Sequence, residues 1–163
     1  MTAWMTLALL CALAGPALAD PTADARAHSE AFARAWNAGD VQGALALYVD
    51  DAVVVWPGRK EEARGRAGIE KLLTDVFQGT KERKLVLESI EARALGDAHI
   101  ATVGHWDSSF TGPDGRRVTE RVRTTEVLVR SGEAWRYLID HASVGQPPPA
   151  PPAAPTRRQR RAR

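Results

Sequence analysis

From Thr22 to Asn37, Ala25, Ser29, Phe32 and Trp36 return about once per helical turn, which predicts a first helix with one aromatic face. Thr22 is its expected N-cap and Gly39 its end. Asp40 then caps a short second helix in which Val41, Ala44, Leu45 and Tyr48 share a face by their spacing of three and four. Val53 to Trp56 are β-branched or aromatic and stop at Pro57-Gly58, the pattern of a strand closed by a turn. Ile69, Leu72, Leu73, Val76 and Phe77 fill one stripe of a third helix, with Gly79 at the C-cap position. After it the period changes to two. From about Lys84, four alternating segments are separated by Leu95-Gly96-Asp97, by Thr111-Gly112-Pro113-Asp114-Gly115 and by Ser131-Gly132, which predicts an antiparallel meander. Helices followed by a run of strands make the fold class α+β, with the helices on one face of the sheet.

The two-residue period also assigns faces. In the last strand Trp135, Tyr137, Ile139 and His141 share one side and are expected to face the helices. In the strand before it, Arg123, Thr125, Val127 and Val129 oppose Thr124, Glu126, Leu128 and Arg130, and the first set is taken as interior. Between His99 and Phe110 the bulk of Trp106 favours Ile100, Thr102, Gly104, Trp106 and Ser108 inward over Ala101, Val103, His105 and Asp107; a bulge would reverse that phase.

The two ends change the picture. Leu7 to Gly15 is apolar but short of the ~20 residues a spanning helix needs, and Ala17-Leu18-Ala19 is a small-x-small cleavage pattern. Residues 1–19 therefore read as an export signal cleaved after Ala19, which predicts a periplasmic or secreted protein. No Lys or Arg precedes the apolar run, so a retained N-terminal anchor is the alternative. Cys11, the only cysteine, lies inside this segment, leaving the mature chain without disulfide, thiolate metal site or cysteine nucleophile. Residues 146–163 hold six prolines and close on Arg157-Arg158-Gln159-Arg160-Arg161, an expected disordered tail. That tail is either a weak electrostatic contact with anionic envelope surfaces or a solubilising segment with no partner. One domain, residues 20–145, remains. With five of the 22 basic residues in the tail, the domain carries 17 against 20 acidic ones, about −3, which argues against nucleic acid as a partner. The chain is 44% apolar and 26% charged, as an ordinary globular protein is.

Trp36-Asn37-Ala38-Gly39-Asp40, Leu47-Tyr48-Val49-Asp50-Asp51-Ala52, Gly65-Arg66-Ala67-Gly68-Ile69, Arg123-x-Thr125-x-Val127, Trp135-Arg136 and His141-x-Ser143 occur in this order. Together they resemble the SnoaL-like branch of the NTF2-like superfamily, nearest to proteins labelled DUF4440 or SgcJ-like, over nearly all of residues 22–145. The resemblance implies a cone of three N-terminal helices packed on a strongly curved, mostly antiparallel sheet, a cavity between helix and sheet, and a homodimer packed through the sheet.

It also permits a comparison with ketosteroid isomerase, which works with an aspartate base, a tyrosine and a protonated aspartic acid. By alignment to Asn37-Ala38-Gly39-Asp40 and the Pro57 turn, these groups fall on Trp56, Phe32 and near Thr125, none of which keeps the chemistry. Steroid isomerisation is not expected. What remains as candidate ligand-binding residues is Phe32, Trp36, Tyr48, Trp56 and Trp106, with Arg123 and Thr125 as polar groups and Arg123 suited to a carboxylate. The same aromatics are equally consistent with a filled core. His141 is the candidate catalytic residue, a general base, or else a core histidine bonded to a backbone carbonyl; its neighbour Asp140 falls on the opposite face unless a bulge intervenes. His28, His99, His105 and His141 lack close ligand spacing, so no metal is expected. Neither is a cofactor, since Gly65-Arg66-Ala67-Gly68 opens a helix without the Lys-Ser/Thr that grips a nucleotide. Three functions follow: a small-molecule pocket protein with an unidentified ligand, a non-catalytic dimeric assembly or sensing module, or a cofactor-free isomerase, cyclase or hydratase using His141 and Arg123.

Overall fold

The computed structural model describes residues 20–145; the expected signal at 1–19 and the tail at 146–163 lie outside the described residues. Helix α1 (Pro21–Ala38) begins one residue before Thr22, so Thr22 lies inside it and is not its N-cap. Asp20 is its N-cap, accepting from the Thr22 amide at 2.9 Å, and Pro21, whose missing N–H costs nothing there, opens the helix. Gly39 ends it in the left-handed conformation, φ 69°. Asp40 caps α2 (Val41–Leu45) through the Gly43 amide at 2.8 Å. The helix stops at Leu45, so Tyr48 does not belong to it and instead begins β1 (Tyr48–Val55), a strand five residues longer at its start than the β-branched run suggested. A two-residue β2 (Ala63–Arg64) leads into α3 (Gly65–Gly79); Gly79 is its last residue and Thr80, extended, the cap. Four long strands complete the chain: β3 (Lys81–Ala94), β4 (His99–Thr111), β5 (Arg117–Ser131) and β6 (Ala134–Val144).

The six strands form one sheet in the order β2-β1-β6-β5-β4-β3, antiparallel throughout except where β6 lies parallel to β1. Register shifts in β3 between Lys81 and Lys84 and between Leu87 and Ser89 accompany its curl toward α1. Asn37, at the end of α1, fixes that contact by donating to the Leu85 carbonyl at 3.0 Å and accepting from the Leu85 amide at 2.7 Å. The helices and curved sheet enclose a core of Ala25, Leu45, Val54, Ile69, Leu73, Ile100 and Leu128, each at most 1% exposed. Burying a leucine or isoleucine of this kind contributes about 2 kcal/mol. The fold class is thus α+β, with helices on a curved mixed sheet.

Two face assignments reverse. On β5 the buried side chains are Thr124, Glu126 and Leu128, while Arg123 and Thr125 are exposed. On β6, Leu128 pairs with Tyr137 but Val127 pairs with Ile139, so Leu138 is an inserted residue, a bulge. Before it Tyr137 faces inward; beyond it the phase flips, turning Asp140 and Ala142 in and leaving Ile139 and His141 exposed. β4 has no such shift against β5, and Ile100, Thr102, Trp106 and Ser108 are buried, the set that Trp106 favoured.

Candidate functional site

A cavity of about 410 Å³ opens between α1, α3 and the concave face of the sheet. Its walls are aromatic because α1 presents Phe32 and Trp36 one turn apart, the end of β1 presents Trp56, and β4 presents Trp106 and, four residues on, Phe110. These rings meet edge to face: Trp36 and Trp56 have centroids 5.5 Å apart at 72°, and Phe32 and Trp56 6.3 Å at 74°. Trp106 is held by its indole N–H, which donates to the Thr124 hydroxyl at 3.2 Å. Gly104 leaves room for that bond, since a Cβ there would lie 2.5 Å from the Thr124 hydroxyl oxygen.

The floor is acidic. Glu126 and Asp140 stand opposite one another on β5 and β6, are 3% and 4% exposed, and both line the cavity. Directly opposed residues have Cβ atoms about 5 Å apart. The Oδ2 of Asp140 accepts from the Tyr48 hydroxyl at 2.6 Å and from the Trp56 indole N–H at 3.0 Å; Glu126 accepts from the Thr102 hydroxyl at 2.7 Å. Burial, and next the Asp140 charge, push the Glu126 carboxyl up to about 8, against the hydrogen bonds of Thr102 and Thr124. Burial raises Asp140 as well, opposed by its bonds to Tyr48 and Trp56. The two carboxyls cannot comfortably ionise together, so one proton is held in the pair around neutral pH. Asp140, with two donors converging on one oxygen, is the better-stabilised anion, which leaves the proton on Glu126.

Phe32, Trp36, Trp56 and Trp106 all line this cavity. Tyr48 is buried behind the wall and reaches the site through Asp140. Arg123, Thr125 and His141 lie on the outer face of the sheet, exposed, because of the two face reversals; Thr125 and His141 are cross-strand partners there. Sequence reasoning missed Glu126, Asp140 and Thr124, and it placed Tyr137 inward without naming it as a lining residue. A charged residue flanked by polar or apolar inward partners, Thr124-x-Glu126-x-Leu128, reads as solvent-facing on composition alone. The signal available was the unbroken period through Leu128. No group of three or more His, Cys, Asp or Glu among the described residues is arranged to hold a metal ion.

A family model described as a SnoaL-like domain matches residues 26–147. No curated protein matches the chain. Among solved structures, a ketosteroid isomerase-like protein from Erwinia carotovora atroseptica is 20% identical, with 80% of this chain and 100% of that one covered and a TM-score of 0.69. A protein from the NTF2-like family of Streptomyces avermitilis is 18% identical, covering 78% and 98%, with a TM-score of 0.70. A protein with a cystatin-like fold from Caulobacter vibrioides is 25% identical, covering 78% and 91%, with a TM-score of 0.68. These likenesses identify the architecture as the NTF2-like cone.

Proposed function

The chain belongs to the SnoaL-like domain family, and from that premise we propose that its cavity binds a small, largely apolar molecule and transfers a proton on it through Asp140 and Glu126. The observation that carries this reading is the pair of buried carboxyls facing each other across β5 and β6 at the floor of an aromatic cavity. A folded protein gains no stability from burying two like acids without a basic partner. In a cavity wide enough for a ligand, such a pair supplies a base and an acid side by side: Asp140, oriented by Tyr48 and Trp56, takes a proton, and protonated Glu126 gives one. Cavities of this volume and lining are the usual form of small-molecule sites. A singly protonated dyad of this kind serves isomerisation or elimination, both of which need one proton removed and another returned.

The test is an untargeted comparison in D2O. Small-molecule extract of the producing cell is incubated with the wild type, with Asp140→Asn and with Glu126→Gln, and followed by mass spectrometry. A molecule that acquires deuterium or changes into an isomer or dehydration product with the wild type alone supports the reading and names the substrate. Equal profiles for all three proteins refute proton transfer.

A second reading, assembly through the sheet, is favoured by Val103, Thr125, His141 and Val55, which follow one another in register across β4, β5, β6 and β1 on the outer face. Val55, Val103 and nearby Ile139 are 41–47% exposed there, and we propose a homodimer covering them; sedimentation showing only monomer at 100-fold the working concentration would refute it. Export with cleavage after Ala19 is likewise proposed, and N-terminal sequencing of the protein from the cell envelope tests it.

A further inference from the structure

The cavity is short of positive charge. Its lining contains the carboxyl groups of Asp75, Glu120, Glu126 and Asp140, of which Asp75 is paired with Lys71 at 2.8 Å, and one basic side chain, Arg59, which is exposed at the rim. At the floor, neither Glu126 nor Asp140 joins any of the ion pairs among the described residues. Both hydrogen bonds to Asp140 converge on Oδ2; Oδ1 takes none, although the residue is only 4% exposed and lines the cavity. Among the described residues no basic side chain compensates the Asp140 carboxylate, and its unused oxygen, on a residue that lines the cavity, is best matched by a cation brought by the ligand. Around it stand the rings of Phe32, Trp36, Trp56 and Trp106, whose negative faces attract a cation and strengthen that attraction once water is excluded. An anionic ligand would be repelled by the Asp140 carboxylate; a neutral one would leave the Oδ1 charge uncompensated.

Resting on the reading of this cavity as a ligand site, we propose that the ligand is an organic cation, a substituted ammonium or amine whose nitrogen lies against Asp140 and Glu126 within the aromatic walls. The carboxylate-bearing ligand that Arg123 suggested is excluded from this role, since Arg123 is on the other side of the sheet. Asp75 and Glu120 at the entrance add attraction at longer range, sensitive to salt.

Three probes with the same benzyl group separate the classes: benzyltrimethylammonium, phenylacetone and phenylacetate, each titrated into the full chain and followed by calorimetry and by the fluorescence of the cavity tryptophans. The ammonium is expected to bind at least about tenfold more tightly than the ketone, and phenylacetate not to bind. Asp140→Asn should weaken the ammonium by about tenfold or more while leaving the ketone within about threefold, and Glu126→Gln should do the same above pH 8, where Glu126 is ionised. Glu126→Gln keeps the side-chain volume and the acceptor for the Thr102 hydroxyl and has no proton to lose, so its fold is secure even if Asp140→Asn proves unstable. A ketone that binds as tightly as the ammonium, or an ammonium affinity unchanged in Asp140→Asn or, above pH 8, in Glu126→Gln, overturns the cation assignment and leaves the ligand site standing. Failure of all three probes at millimolar concentration overturns the ligand site as well.

Discussion

Replacing Glu126 by glutamine should stabilise the protein, and more so the higher the pH. The side chain keeps its volume and its acceptor for the Thr102 hydroxyl but has no proton to lose. In the wild type the Glu126 carboxyl is pushed up to about 8 by burial and the Asp140 charge, from an ordinary 4.5. Between those values the folded chain keeps a proton that the unfolded chain releases, so stability is fully present below pH 4.5 and is lost as pH rises toward 8. Each pH unit of this window changes stability by about 1.4 kcal/mol, so from pH 5 to pH 8 the cost approaches about 4 kcal/mol. Asp140 shares the proton, which makes that figure an upper bound for one residue. Urea unfolding of wild type and variant at both pH values gives the comparison directly. The advantage of Glu126→Gln should grow by about 2–4 kcal/mol from pH 5 to pH 8. Parallel stability curves for the two proteins would show that Glu126 titrates alike folded and unfolded, and the buried acid pair would be lost with them.

His28, 7% exposed and packed edge-on against Tyr137 at 4.3 Å, is held down to about 4 chiefly by burial, from 6.5. Its contribution is intact above pH 6.5 and is lost as pH falls toward 4, by up to about 3 kcal/mol, so His28→Phe should flatten the acid side of the wild-type stability profile measured by urea unfolding. Tyr48→Phe removes one of two donors from buried Asp140 and should cost about 1–3 kcal/mol, with a further rise in the Asp140 titration measured by carboxyl NMR; no change in either would show that the 2.6 Å bond contributes nothing. Asn37→Ala unties α1 from Leu85 and should cost about 2 kcal/mol in thermal or urea unfolding without altering the carboxyl titrations. Gly104→Ala places a methyl group against the Thr124 hydroxyl and should break its bond to Trp106, seen as a red shift of tryptophan emission.

The architecture was legible because it rests on long stretches of one period. α3 with Ile69, Leu72 and Leu73, and the four strands parted by glycine turns, follow from spacing alone. The aromatic wall was legible too, since Phe32 and Trp36 share a helix face and Trp106 is too large to be left in water. Its acidic floor was not. Two local features hid it: the Leu138 bulge, which shifts the phase of β6 by one residue, and Glu126, which breaks the expectation that charge faces solvent. Bulges and unpaired buried acids both lower stability locally, and both break the local rules from which faces are read. His141 was the mirror image of this error, a reactive side chain placed inside by an uninterrupted period and exposed by the inserted residue.

The titration of the two carboxyl groups tests the central claim most directly. With ¹³C-labelled side chains, assigned through Glu126→Gln and Asp140→Asn, NMR from pH 4 to pH 9 should show the Glu126 carboxyl losing its proton near pH 8, and losing it at lower pH once Asp140 is asparagine. Two carboxyl groups that both ionise below pH 5, each indifferent to replacement of the other, would contradict it.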